Sequence, residues 1–184
     1  MRFEPTALPE VVRIVPRVHE DARGFFLESW NARAFAAAGY PLAFVQDNHS
    51  RSTRGTLRGL HYQVGADAQG KLVRVVAGEV FDVAVDLRRG SPARGRWVGE
   101  RLSAANRRML WMPPGFAHGF YVVSEAAELL YKCTALYAPA AERTVAWNDP
   151  DLAIGWPLVD GEPPVVSAKD AAGTPFALAE TVEC

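Results

Sequence analysis

EVFDVAVDL, residues 79–87, decides the fold class. Phe81, Val83, Val85 and Leu87 share one face of an extended chain, and Val80, Asp82, Ala84 and Asp86 share the other. A period of two identifies a strand. Working outward, similar runs occur at 11–15 (VVRIV), 24–29 (GFFLES), 56–63 (TLRGLHYQ), 71–76 (KLVRVV) and 96–102 (RWVGERL). Further ones lie at 109–113 (MLWMP), 118–123 (HGFYVV), 128–134 (ELLYKCT) and 143–147 (RTVAW). Turn signals separate them: Gly78, RRGSPARG at 88–95, PPG at 113–115 and NDPD at 148–151. Turns about 8 to 15 residues apart fit an all-β sandwich or barrel better than alternating strand–helix units. One helix is predicted over 31–38, NARAFAAA, with Ser29 or Asn31 as its N-cap and Gly39 beyond its end. A second short helix is predicted near 103–106. The tail from Gly161, with Pro163, Pro164 and Pro175, is expected to pack as irregular structure around the barrel.

The chain has 184 residues, about one domain and enough for a full core without a disulfide or metal staple. Its 49% hydrophobic and 22% charged residues argue against disorder. Lys and Arg number 20 against 21 Asp and Glu, a net charge of −1, so the general basic excess of a nucleic-acid binder is missing. A local basic pocket remains compatible with that balance. Cys133 lies in an apolar run and Cys184 is the last residue; with no CxxC, a reducing compartment is expected. The opening MRFEPTALPEVV lacks the apolar core of a signal peptide, and no apolar run reaches about 18 residues. The expectation is a cytoplasmic protein away from membranes.

Several ionisable groups sit inside the apolar strands. On a regular strand His61 shares a face with Leu57 and Gln63, while Arg58 and Tyr62 point the other way. Lys71 opens KLVRVV, His118 lies in PPGFAHGF, and Tyr131 shares a face with Leu129 and Cys133. Each alone reads as a packing or surface residue. Together they are too many polar groups for a barrel interior filled only for stability, because burial without partners costs kcal/mol each. They either pair, as Asp82 and Asp86 would, or line a wet cavity.

A metal centre in such a barrel needs clustered histidines, yet His19, His49, His61 and His118 form no HxH or HExxH, and position 63 is Gln63. GxSxG, a Walker loop and GxGxxG are also missing from the sequence. General acid–base chemistry remains, with His as base, Tyr as acid and a cation for an oxyanion. Arg23, Arg58, Lys71 and Arg74 could hold an anionic ligand. FVQDNHS, 44–50, reads either as a plain turn or as hydrogen-bonding groups for a sugar or nucleotide.

Eight stretches carry a family resemblance. They are DARGFFLESW (21–30), FVQDNHSRS (44–52), LRGLHYQ (57–63), QGKLVRVVAGEVFDVAVDLRRGSP (69–92), LWMPPGFAHGFYV (110–122), LLYKCTALYAP (129–139), WNDPDLAIGWP (147–157) and SAKDAA (167–172). In this order the chain resembles the dTDP-4-dehydrorhamnose 3,5-epimerases, a cupin-fold family. Pro113, Gly115 and His118 also look like the second cupin motif. The resemblance implies an all-β cupin or jelly-roll barrel with a few short peripheral helices, one domain over 1–184, and a homodimer. The N-terminal segment, about 1–50, would contribute to the dimer interface.

The implied reaction inverts C3 and C5 of dTDP-4-dehydro-6-deoxy-D-glucose and needs no cofactor or metal. His61 falls on the family's base, Asp170 on its carboxylate partner, Tyr131 on the proton donor and Lys71 on the cation beside the C4 oxygen. Arg58 and His118 fall on substrate-binding positions. Arg23, Glu28, Gln46, Asp47, Asn48, Glu142 and Lys169 match further ligand-binding positions, and Phe26 and Tyr137 match aromatic residues near the thymine and sugar. Arg23, Phe26 and Glu28 would act in the partner's site. Three other readings stay open: a 3- or 5-mono-epimerase of a related dTDP-4-keto-6-deoxyhexose, a non-catalytic cupin that binds a nucleotide sugar, and a metal cupin.

Overall fold

The computed structural model describes residues 1–183, so Cys184 lies outside the described residues. In chain order the strands begin with β1 (Arg2–Pro5), β2 (Val12–Val15), β3 (Val18–Asp21) and β4 (Gly24–Leu27). After helix α1 (Ala32–Ala37) come β5 (Gln46–Thr53), β6 (Leu57–Gln63), β7 (Lys71–Ala77), β8 (Glu79–Asp86) and β9 (Trp97–Ser103). Then follow β10 (Met109–Met112), β11 (Phe116–Val122), β12 (Ala126–Cys133) and β13 (Glu142–Thr144), with helix α2 (Ala168–Ala171) in the tail. One sheet has the order β1-β2-β10-β7-β12-β5 and the other β13-β6-β11-β8-β9, while β3 and β4 form a separate hairpin. The pairings within them are antiparallel. This is the mostly-β, cupin-type jelly roll that the resemblance implied.

Strand β8 explains how the layers pack. Its Val80 and Ala84 meet Val73, Phe120 and Leu129 in the core between the sheets. Its Val83 and Val85 meet Leu60, Ala117 and the tail residues Ala179 and Val182 on the other side. With both faces covered, Asp82 and Asp86 are each 0% exposed and must be bonded. Asp82 meets the His118 ring, Nε2 to Oδ2 at 2.9 Å. Asp86 accepts from the Arg88 guanidinium at 2.6 Å and from the Ser91 hydroxyl at 2.7 Å. On the outer face of the first sheet, buried Phe35 of α1 packs on Val12, Ile14 and Met109. Asn31 caps that helix by accepting from the Ala34 amide at 3.1 Å, and the chain leaves it through Gly39.

Some expectations change. FVQDNHS is not a plain turn: Gln46–Thr53 is a full strand, paired with β12 from Gln46↔Cys133 to Thr53↔Ala126. It lacks apolar alternation because it is the edge strand of its sheet, with its outward residues exposed and its inward ones beside a cavity. No helix forms at 103–106. Ser103 and Asn106 exchange side chain–backbone bonds at 3.1 and 3.0 Å, which closes a turn instead. The tail is less irregular than expected: α2 is capped by Ser167, and Val165 and Val182 bridge to Thr56 and Arg88.

The pairing of β6 with β11 carries a bulge. His118 faces His61, but Phe120 faces Arg58, so three steps on β6 match two on β11. Gly59 sits inside it at φ +123°, and a Cβ there would lie 2.6 Å from the Gly119 Cα. Gly59→Ala is therefore expected to cost about 2–4 kcal/mol, combining positive-φ strain with overpacking. The corresponding fall in Tm is on the order of 5–15 °C by thermal unfolding; an unchanged Tm would refute the close approach.

Candidate active site

The bulge corrects the reading of β6 faces. Alternation placed Arg58 opposite His61, but the extra residue returns Arg58 to the side of His61, in register with Phe120 and His118. From there the Arg58 Nε donates to Ser52 Oγ on β5 at 2.9 Å, spanning the open edge between the two sheets. At this edge lies a cavity of about 300 Å³. Gln46 and Asn48 of β5, His61 and Gln63 of β6, Lys71 of β7, and Tyr131 and Cys133 of β12 line it, with Tyr137 and Glu142 at its margin. A depression of about 400 Å³ shares His61 and is also lined by Arg58, Ser167, Lys169 and Asp170.

His61 Nε2 and Asp170 Oδ1 lie 2.5 Å apart although 109 residues separate them. Asp170 is buried on α2. Its other oxygen accepts from the Ser167 hydroxyl at 2.9 Å, and its amide donates back to Ser167 at 3.1 Å. Burial pushes the Asp170 carboxyl up, but the His61 bond and charge, then the Ser167 bond, outweigh it and hold the group below the ordinary carboxylate range. An ionised Asp170 fixes the proton of a neutral His61 on Nε2 and leaves Nδ1 as the basic nitrogen.

The opposite wall is cationic and phenolic. Lys71 donates to the His61 carbonyl at 3.4 Å. Burial pushes its ammonium down, opposed in part by Cys133, Glu142 and Asp82. Among the described residues no carboxylate forms an ion pair with it, so a buried cation stands ready for an anionic group. Tyr131 is pushed up chiefly by burial and then by Cys133, which keeps the phenol protonated near neutral pH. Cys133, which accepts from Asn48 at 3.6 Å, is likewise pushed up by burial and so stays a thiol. At the margin Glu142 bonds Lys169 at 2.5 Å and accepts from the Tyr137 hydroxyl at 2.9 Å. Burial raises Glu142, but these two partners outweigh it and keep it low.

The other expected site residues are placed as follows. His118 is buried with Asp82 on the strand beside His61. The Asp47 side chain leaves the cavity and pairs with Lys132 at 2.7 Å. Arg23, Phe26 and Glu28 do not line the cavity within one chain. Arg23 bonds Asp21 at 2.6 Å, Phe26 is 68% exposed on the β3–β4 hairpin, and Glu28 accepts from Asn31 at 2.9 Å. The sequence reading passed over Gln69, Tyr62 and Gln63 as cavity residues. Two amides inside otherwise apolar surroundings were the available signal.

A double β-sheet that opposes a His–Asp pair to a protonated tyrosine and a buried lysine on a cupin scaffold is an arrangement suited to acid–base chemistry. The dTDP-4-dehydrorhamnose 3,5-epimerase family model matches residues 5–177, and the chain belongs to that family. It is 61% identical over 181 residues to the dTDP-4-dehydrorhamnose 3,5-epimerase of Pseudomonas aeruginosa, covering 98% of each chain. It is 55% identical over 168 residues to that of Salmonella typhimurium, covering 91% of each. Among solved structures, the dTDP-6-deoxy-D-glucose-3,5-epimerase of Legionella pneumophila in complex with dTDP-4-keto-L-rhamnose superposes with a TM-score of 0.93 at 51% identity. That match covers 97% of this chain and 94% of the other.

Replacing Asp170 gives a signed pH prediction. Its folded pKa is lowered, so its contribution to stability is full above the ordinary carboxylate value and is lost as pH falls through the folded one. Wild type should therefore lose stability relative to Asp170→Asn between about pH 5 and 3 in denaturant titrations. A constant difference across that range would contradict the assignment.

Proposed function

We propose how these residues carry out the family reaction, in which dTDP-4-dehydro-6-deoxy-D-glucose is epimerised at C3 and C5 to dTDP-4-dehydro-L-rhamnose. The chain is an isomerase. Its substrate carries a C4 ketone, which acidifies the hydrogens on both neighbouring carbons. The reaction moves protons only, with no net oxidation.

One observation carries the assignment of roles. His61 comes from β6 of one sheet and Tyr131 from β12 of the other, so they border one cavity from opposite walls. Inversion at carbon needs a base on one face and an acid on the other. His61 removes the proton from C3 or C5, and the C–H electron pair moves into the ring as the C4 oxygen becomes an enolate. Lys71 stabilises that oxygen. Tyr131 delivers a proton to the opposite face as the carbonyl reforms. Asp170 orients the imidazole and stabilises its protonated form. Arg58 at the mouth suits the diphosphate, and Gln46, Asn48, Tyr137, Glu142 and Lys169 border the space for the sugar and nucleotide, with His118 buried on the neighbouring strand.

The chain acts as one epimerase domain within a homodimer. Phe25 and Phe26 of the hairpin are 58% and 68% exposed, and Arg23 and Glu28 lie near them in sequence. A partner's site would give these residues the ligand they lack in their own chain. A free Cys133 thiol fits a cytoplasmic setting, and no described helix is long and apolar enough to cross a membrane.

In D₂O, wild-type protein should introduce deuterium at both C3 and C5 of the dTDP-4-keto sugar, read by NMR. Label at one carbon would establish a mono-epimerase, and no label a binding protein. His61→Ala and Tyr131→Phe should each lower turnover by about 10² to 10⁴-fold. Near-wild-type exchange at C3 and C5 in His61→Ala would remove it as the base.

A further inference from the structure

Thr134–Ala138 is the loop that follows β12 and carries Tyr137 to the cavity margin. Its Leu136 and Tyr137 side chains are 64% and 52% exposed. Large apolar groups on an ordinary surface loop fold down or move, and loop backbone is usually left to water. Here the backbone is held by side-chain amides, of which Gln63 and Gln69 are buried. Gln69 Nε2 donates to the Ala135 carbonyl at 2.7 Å. The Tyr137 amide donates to Gln46 Oε1 at 2.8 Å. Gln63 contributes most: its Nε2 donates to the Leu136 carbonyl at 3.1 Å and to the Asp67 carbonyl at 2.7 Å. Its Oε1 accepts from the Ala138 amide at 2.8 Å.

Gln63 thus grips the residues on both sides of Tyr137, and it is itself only 4% exposed. Both of its N–H donors are used, so the amide has one fixed orientation. Its Cα partner across the sheet is Glu142, the residue that accepts the Tyr137 hydroxyl. The tyrosine is therefore held through its backbone by Gln63 and at its tip by the neighbour of Gln63. A hydrophobic purpose does not explain a glutamine here, since an apolar residue would fill the position without three polar bonds.

We infer that Gln63 is a positioning residue that pre-orders the Tyr137 loop as a wall for the sugar-nucleotide ligand. It acts through Tyr137 and touches no reacting atom. The inference rests on the functional reading above. Fixing the loop before binding removes an ordering cost from association, which favours affinity more than the proton-transfer steps. His61 and Tyr131 stand on strands and do not depend on this loop for their backbone positions.

The test uses Gln63→Met, which keeps volume and removes the three hydrogen bonds. Expected results are faster hydrogen exchange at the Tyr137 and Ala138 amides, and KM raised about 3- to 10-fold with kcat within about twofold. In a Tyr137→Ala background the same change should add nothing further to KM. Unaltered amide exchange, an unaltered KM, a kcat loss at constant KM, or the same KM increase in both backgrounds would each overturn the proposal. Should Gln63→Met not fold, Gln63→Glu keeps the acceptor for Ala138 and loses both donors, and the same readouts apply. A wild-type chain without turnover would instead remove the functional reading, and that is visible before any variant is made.

Discussion

In the pair β6–β11 the two backbones approach until only glycine fits between them. A Cβ on Gly59 would meet the Gly119 Cα and the His118 carbonyl, each at 2.6 Å, and one on Gly119 would meet the Arg58 carbonyl at 2.9 Å. This contact creates the bulge, and the bulge sets which way the side chains of β6 point. Without it Arg58 would face away from His61. With it Arg58 and His61 line the same depression. Placement of Arg58 beside His61 thus rests on a steric constraint between two residues that have no side chains.

Electrostatics divides the polar interior into finished and unfinished parts. Asp86 with Arg88 and Ser91 is complete, and serves packing where β8 meets the tail. Asp170 with His61 and Ser167 is complete too, and gives a fixed imidazole. Lys71 is unfinished: it is buried, pushed toward neutrality by desolvation, and among the described residues its ammonium hydrogen-bonds only the His61 carbonyl. On the proposed mechanism, a ketone oxygen that becomes an enolate would supply the missing charge at the moment of reaction. The lysine would then interact more strongly with the transition state than with the ground state, which is the condition for faster chemistry.

The hairpin of β3 and β4 forms no part of the two main sheets. It is tethered by Arg107, which lies 4.3 Å over the Phe25 ring and bonds Glu20 at 2.6 Å. Exposed aromatics on a small two-stranded unit are costly in water. The distribution of charge follows a related logic. A net charge of −1 hides an uneven distribution: Lys71 lines one cavity beside Glu142, and Arg58 and Lys169 line the adjoining depression with Asp170.

The sequence by itself determined the all-β class, because alternation in EVFDVAVDL and its neighbours follows directly from the two-residue repeat of a strand. It also determined the first helix, whose cap and terminating glycine act locally. Family resemblance then named His61, Lys71, Tyr131 and Asp170. Long-range effects stayed hidden. Strand β5 has no apolar alternation, since its inner face meets a wet cavity and its pairing comes from β12. The Arg58 face depends on an approach to Gly119, a residue 61 positions away by number (119 − 58). The union of His61 with Asp170, and of Gln63 with the Tyr137 loop, depends on where the tail and a turn settle on finished sheets. Local periodicity records how a chain buries itself against water; which polar groups meet in the enclosed space is decided only when the sheets close.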